Sequence, residues 1–250
     1  MKKSDFKSTI IFTDGACTGN PGPGGWAAIL VNPEGQVLEL GGKAAETTNN
    51  RMELMGAIKA LKAIRAPHPH PIVVYTDSTY VIRGITEWIW AWRSRGWKNA
   101  EGNDVSNREL WEDLSRELTR LKPQTIDWKY VRGHTGVPGN ERVDEIAVAY
   151  ANGKWVELYK GTLIQYGVAI YDLPENQDLP EMRPREKKAA AHSYLSYQGG
   201  VVRRHHNWAG CERRVKGQSG AKFKKAMSAA EEPEILKGWG LNVKTPIVDD

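Results

Sequence analysis

The sequence predicts an α/β body on a mixed five-stranded sheet flanked by helices, followed by a small basic α+β module. Three observations carry this. Three strand-like runs precede the first helix-spaced segment, and strands and helices alternate after it. That pattern occupies about the first 150 of the 250 residues. Charge is also uneven: of a net +5, residues 181–250 hold 14 Lys and Arg against 8 Asp and Glu, while residues 1–180 hold 21 against 22.

The elements follow in chain order. Residues 8–13 alternate and are rich in Ile and Phe. "GWAAILVN" (25–32) and "QVLELGG" (36–42) are the next two strands, joined by the turn Pro33-Glu34-Gly35. Leu54, Ala57, Ile58, Leu61 and Ile64 recur at helical spacing over 48–65, with Thr48 or Asn49 as N-cap. "APHPHP" (66–71) stops that helix, and "IVVYTD" (72–77) is a short apolar strand. A tryptophan-rich helical zone spans 78–98, and a helix over 106–121 aligns Leu110, Leu114, Leu118 and Leu121. "TIDWKYVRG" (125–133) alternates as a strand, and 136–153 starts as a loop and becomes a helix. The order is β-β-β-α-β-α-α-β-α: three antiparallel strands, then alternating units. Residues 156–173 are β-like, and 172–191 are rich in Pro and charge, as a linker is.

Several classes are excluded by composition. No apolar stretch reaches 18 residues, so no membrane span is expected. "MKKSDFKSTI" has a basic start without an apolar core, so no secretory signal is expected. Cys17 and Cys211 are lone and far apart, which suits a reducing, cytoplasmic setting. A basic tail beside a near-neutral body suits a polyanion such as nucleic acid, or simply keeps the tail solvated.

Four acidic residues stand out by placement. Asp14 and Asp77 each end an apolar strand; Glu53 lies in the first turn of the helix that starts near 49, and Asp144 opens the last helix. Singly, each has an ordinary explanation: an Asx turn at a strand end, or an acid favoured by a helix N-terminus. Together they say more. On neighbouring strands the carboxylates meet at one sheet edge, and like charges that close need a cation between them. Only oxygen ligands are offered, so the cation is hard, with Mg2+ the natural choice.

At these residues the chain resembles bacterial type I ribonuclease H. "FTDGACTGNPGPGGWAAIL", "TTNNRMELMGAI", "YTDSTYVIRGITEWI" and "VRGHTGVPGNERVDEIA" are similar to that family's signature segments, in the same order, across nearly all of 8–153. The resemblance implies a ribonuclease H-like fold and a metal-dependent endonuclease. It implies cleavage of the RNA strand of RNA–DNA hybrids with two Mg2+ ions, for which Mn2+ can substitute, leaving 3′-hydroxyl and 5′-phosphate ends. It assigns Asp14, Glu53, Asp77 and Asp144 as metal ligands, and His134 as a proton shuttle or an aid to product departure. Gly15, Cys17, Asn20, Asn49 and Asn50 are implied to contact the hybrid's minor groove. Trp88, Arg93, Arg95, Trp97 and Lys98 fit the family's basic protrusion, which grips the DNA strand; without the resemblance, core aromatics and a solvated basic face are the better explanation. A non-catalytic hybrid-binding protein of the same fold is the alternative. Four convergent carboxylates speak against it, since they repel phosphate unless metal covers them.

The tail carries a second resemblance. "YLSYQGGVVRRHHNWAGCERRVKGQSGAKFKKAMSAAEE" (194–232) is similar to the small hybrid-binding or viroplasmin-like module of eukaryotic type I enzymes. Arg203, Arg204, Lys216, Lys222, Lys224 and Lys225 surround Trp208 and Phe223, and basic residues among aromatics suit a duplex backbone. The expected organisation is a ribonuclease H catalytic domain over 1–153, a β-like segment and linker over 154–191, and the basic module over 192–250. The expected partner is an RNA–DNA hybrid, met by a cytoplasmic monomer.

Overall fold

A computed structural model of the chain describes residues 7–174, 176–181 and 191–250. The contacts form two compact units, divided after Glu181. The expected linker therefore differs from the structure in its first part, since 172–181 belong to the first unit. Residues 175 and 182–190 of that linker, and 1–6 of the N-terminal stretch, lie outside the described residues.

In the first unit β1 (Thr9–Cys17), β2 (Gly22–Val31) and β3 (Gln36–Thr47) form an antiparallel meander. Helix α1 (Asn49–Ala63) crosses over, and β4 (Ile72–Thr76) returns parallel to β1. The tryptophan-rich zone is a broken helix: α2 (Thr79–Arg83), a π-helical turn (Gly84–Trp88) and α3 (Ile89–Ser94). Helix α4 (Arg108–Arg120), strand β5 (Ile126–Tyr130) parallel to β4, and helix α5 (Pro138–Ala151) follow. A further strand, β6 (Lys160–Thr162), pairs with β3.

The sheet thus has six strands, not five, in the order β5-β4-β1-β2-β3-β6. Three residues of strand are too few to give an alternating signal in sequence; β6 exists because the edge of β3 is there to receive it. The body also runs past the expected boundary at 153. Val156, Leu158, Tyr159, Leu163, Tyr166 and Val168 pack on the α5 side of the sheet, and Ile170 is buried there.

Strand alternation builds a core on each face. Ile11, Ala28, Leu30 and Val74 face α1 and α4, while Ile10, Phe12, Ala27, Ile29 and Val31 face α5. Helices cover both faces, so β1 is buried on both sides, and Ile10, Ile11 and Phe12 are all buried in place of the expected alternation.

The second unit has β7 (Ser193–Gln198), β8 (Val201–His205), α6 (Trp208–Val215), β9 (Lys222–Ala226), α7 (Glu231–Gly238) and β10 (Ile247–Asp249). Its sheet runs β10-β8-β7-β9, with β10 parallel to β8 and the other pairs antiparallel. Leu195, Ala226 and Ile235 form its small core.

Candidate active site

Asp14 does not end β1, as the sequence suggests. It sits inside the strand, in register with Ala27, and pairing continues to Cys17. The reason is Gly15: a Cβ there would overlap the backbone of Met52 and Glu53, so glycine lets α1 lie directly against the strand. That approach brings Glu53 to Asp14. Glu53 lies beyond the first turn of α1, which holds no acid, and Asp144 lies beyond the first turn of α5, whose acid is Glu141. Placement at a helix N-terminus therefore explains neither. Asp77 follows β4 directly, and Gly133 packs against its carboxylate.

Asp14, Glu53 and Asp77 each offer an oxygen, all within 4.8 Å of one another. They line a cleft of about 270 Å³ with Gly15, Ala16, Cys17, Asn49, His134 and Asp144. Asp144 stands outside the tight trio but lies close enough to Asp14 to act on its carboxyl. Burial, followed by repulsion from Asp77 and Asp144, pushes Asp14 up to about 8 despite the bond it accepts from Gly15 N. Burial raises Glu53 well above the carboxylate range, with Asp14 and Asp77 adding to it. Asp77 is raised by burial and partly relieved by a hydrogen bond from Asn140.

The donor set fits a hard cation. Asn49 Nδ2 donates to Glu53 Oε1 at 3.2 Å, while Glu53 Oε2 is buried with no hydrogen-bond partner. A buried carboxylate oxygen without a donor is costly, and a divalent cation would satisfy it.

The other expected site residues divide. His134 is exposed at the mouth of the cleft with φ +54°, on a loop that Gly136 also turns in the left-handed region. Cys17 Sγ donates to Gly22 O and Thr47 O, both at 3.4 Å. Asn20 Oδ1 accepts from Asn49 N, tying the glycine-rich loop to α1, and Asn50 is exposed beside it.

In the protrusion, Trp88 packs on Tyr80 and Trp92, Trp92 on Trp111, and Arg108 stacks over Trp97. These aromatics fasten the element to the core. Lys98 lies beyond the helix and is ion-paired with Asp104 at 2.6 Å. Arg93 and Arg95 are exposed.

Two residues escaped the sequence reading. Trp90 is the open aromatic of the protrusion, 68% exposed. Asn140, buried beside Asp77, was findable: four residues before Asp144, it shares that residue's helix face.

Several cations of the expected basic face of the second unit are held by partners. Arg204 forks onto both oxygens of Glu232 and also meets Asp249, Arg203 pairs with Asp250, and Lys216 pairs with Glu212. Lys222 donates to Trp239 O. Alternation along β9 also sends Phe223 and Lys225 to one face and Lys222 and Lys224 to the other. Phe223, Trp208 and Tyr194 form one aromatic row, with centroid spacings of 5.3 and 5.8 Å.

The RNase H family model matches residues 6–152. This chain belongs to the RNase H family. It is 51% identical over 148 residues to a ribonuclease H of Cyanothece sp., covering 59% of this chain and 92% of that one. With a ribonuclease H of Maricaulis maris it shares 54% over 151 residues, 59% of this chain and 98% of the relative. Among solved structures, LC9-RNase H1, described as a type 1 RNase H with the type 2 active-site motif, matches with a TM-score of 0.54. That match has 30% identity and covers 64% of this chain and 80% of the other. The RNase H match stops where α5 ends, so the segment after it and the second unit stand outside it. Among the described residues no helix is long and apolar enough to cross a membrane.

Proposed function

We propose that the Asp14–Glu53–Asp77–Asp144 cleft is the reacting centre of this ribonuclease H, and that the second unit is an accessory duplex-binding module. As a ribonuclease H, the chain cleaves the RNA strand of RNA–DNA hybrids endonucleolytically. The observation that carries the choice of centre is the convergence of three carboxylates, one with a buried oxygen that has no donor.

Asp14, Glu53, Asp77 and Asp144 would hold two divalent cations, Mg2+ in the cell with Mn2+ as a substitute. When bound, such ions make water a nucleophile at neutral pH and stabilise the leaving oxygen. The chain's own groups do the rest. Asn49 and Asn140 hold the Glu53 and Asp77 carboxylates in place. His134, on its exposed loop, passes a proton to the departing 3′-oxygen, leaving 3′-hydroxyl and 5′-phosphate ends. Gly15, Cys17, Asn20, Asn49 and Asn50 line the approach with backbone and small polar groups suited to 2′-hydroxyls, the mark of RNA. Arg93 and Arg95 are the protrusion's open cations for the DNA strand, backed by Trp88, Trp97 and Lys98.

In the second unit the row Tyr194–Trp208–Phe223, with Lys225 on the same face of β9, supports duplex binding. Arg203 and Arg204 contribute only when their carboxylate partners release them. The protein works as a cytoplasmic monomer on this reading.

The test uses one end-labelled RNA strand annealed to DNA or to RNA, with Mg2+, beside Asp14→Asn. Cutting of the hybrid's RNA alone, with a variant that binds but does not cut, supports the reading. A hybrid bound but uncut in Mg2+ and in Mn2+ would make the chain a binding protein.

A further inference from the structure

Beyond the family match lies a segment with no assigned role. It gathers around one buried carboxylate. The Glu39 side chain, on β3, has no exposed surface. Arg142 of α5 forks onto it, Nε to Oε1 at 2.8 Å and Nη2 to Oε2 at 2.9 Å. The segment after α5 completes the shell: Tyr166 donates its hydroxyl to Oε1 at 2.6 Å, and Tyr159 N donates to Oε2 at 2.9 Å. Glu39 N returns a bond to Tyr159 O at 2.8 Å, and Arg142 Nη2 also reaches Glu157 O at 3.2 Å. The Tyr159 and Tyr166 rings lie 4.8 Å apart, and β6 clips the segment onto β3.

Arg142 sits midway between Asn140 and Asp144 in sequence, on the opposite side of α5. Asn140 and Asp144, four residues apart, share the face that meets Asp77 and Asp14. One end of the helix is thus held from both sides: Asn140 to Asp77 on one, Arg142 to Glu39 on the other. We propose that residues Glu157–Tyr166 brace α5 through the Glu39–Arg142 pair, and that Glu39, Arg142, Tyr159 and Tyr166 are positioning residues for the cleavage reaction.

The physical case rests on direction. The rest of α5 is seated by apolar packing of Val143, Ile146 and Ala147, which is non-directional and leaves small rotations of a helix cheap. A forked, fully bonded ion pair fixes rotation and height together. Burying such a pair is a poor way to gain stability, since a well-packed apolar replacement serves as well or better. What it adds is geometry, and a shift of about 1 Å at a reacting group can cost about 100-fold in rate. The inference rests on the carboxylate cleft being the reacting centre.

The test uses the full chain with Tyr166→Phe, the double replacement Glu39→Met with Arg142→Leu, and Asp14→Asn as reference. The readouts are thermal midpoint, kcat and KM on a hybrid, and the rise in midpoint on adding Mg2+. The double variant is expected to fold, lose tenfold or more in kcat with KM within about twofold, and show a smaller Mg2+-induced rise. Tyr166→Phe, which removes one hydroxyl, should lose severalfold in kcat while its midpoint falls by only about 2–4 °C. Wild-type kcat in a folded double variant overturns the brace. Should that variant not fold, wild-type kcat and a wild-type Mg2+ response in Tyr166→Phe overturn it instead. Failure of the underlying site reading looks different: Asp14→Asn would then keep its activity.

Discussion

At the scale of single residues, Asp14 carries the most. Its ionised form is disfavoured in the folded chain, so between its ordinary 3.8 and about 8 rising pH costs folded stability unless a cation is present. Asp14→Asn should therefore abolish cleavage yet raise the metal-free thermal midpoint at pH 8 by about 2–4 °C for each 1 kcal/mol relieved. Added Mg2+ should stabilise the wild type and not the variant. A variant less stable than the wild type in metal-free buffer would refute the burial argument. Gly15→Ala makes a second check, since its Cβ would push α1 off β1 and separate Glu53 from Asp14. It should lose both activity and stability, the latter by about 2 kcal/mol or more. Glu39 titrates in the opposite sense to Asp14. Bonds from Arg142, Tyr166 and Tyr159 outweigh its burial and hold it below its ordinary 4.5, so its contribution is present above that value and lost as pH falls. Glu39→Gln should cost about 2 kcal/mol at pH 7, and the gap from wild type should narrow below pH 4.5 in acid unfolding curves.

At the scale of elements, the protrusion separates anchoring from grip. Tyr80 OH accepts from Trp111 Nε1 at 3.1 Å and from Asn107 Nδ2 at 3.2 Å, and the tryptophans close around it, so aromatic truncation here should lower stability first. Arg93 and Arg95 are exposed and should act on binding alone. Replacing both with Ala should raise KM and flatten the plot of log affinity against log salt by about 2. An unchanged slope would remove the protrusion from the substrate path. In the second unit, β10 lays Asp249 and Asp250 over Arg204 and Arg203. Asp249→Asn with Asp250→Asn should steepen the salt dependence of duplex binding if those arginines can then reach phosphate, a change read directly from filter-binding titrations.

At the scale of the whole molecule, a second unit that bound duplex would raise the local concentration of substrate at the first. The full chain should make more successive cuts per encounter on a long hybrid than residues 1–181 alone; equal processivity would leave the second unit without a role in cleavage. The sequence by itself determined the order of strands and helices from β1 to α5, because hydrophobic period is local and each of those elements carries its own. It also singled out the four carboxylates by their placement, and His134 by family resemblance, and all five line one cleft. Only the tertiary structure decided that Asp14 lies inside a strand and that Asn140 supports Asp77. It alone gathers Glu39, Arg142 and Tyr166 into one cluster, through bonds that span 103 and 127 residues. It also commits Arg203, Arg204, Lys98 and Lys216 to carboxylates, each of which looks free in a list of residues. A charge pattern fixes what a side chain carries; which partner neutralises it depends on distances that exist only once the chain has folded.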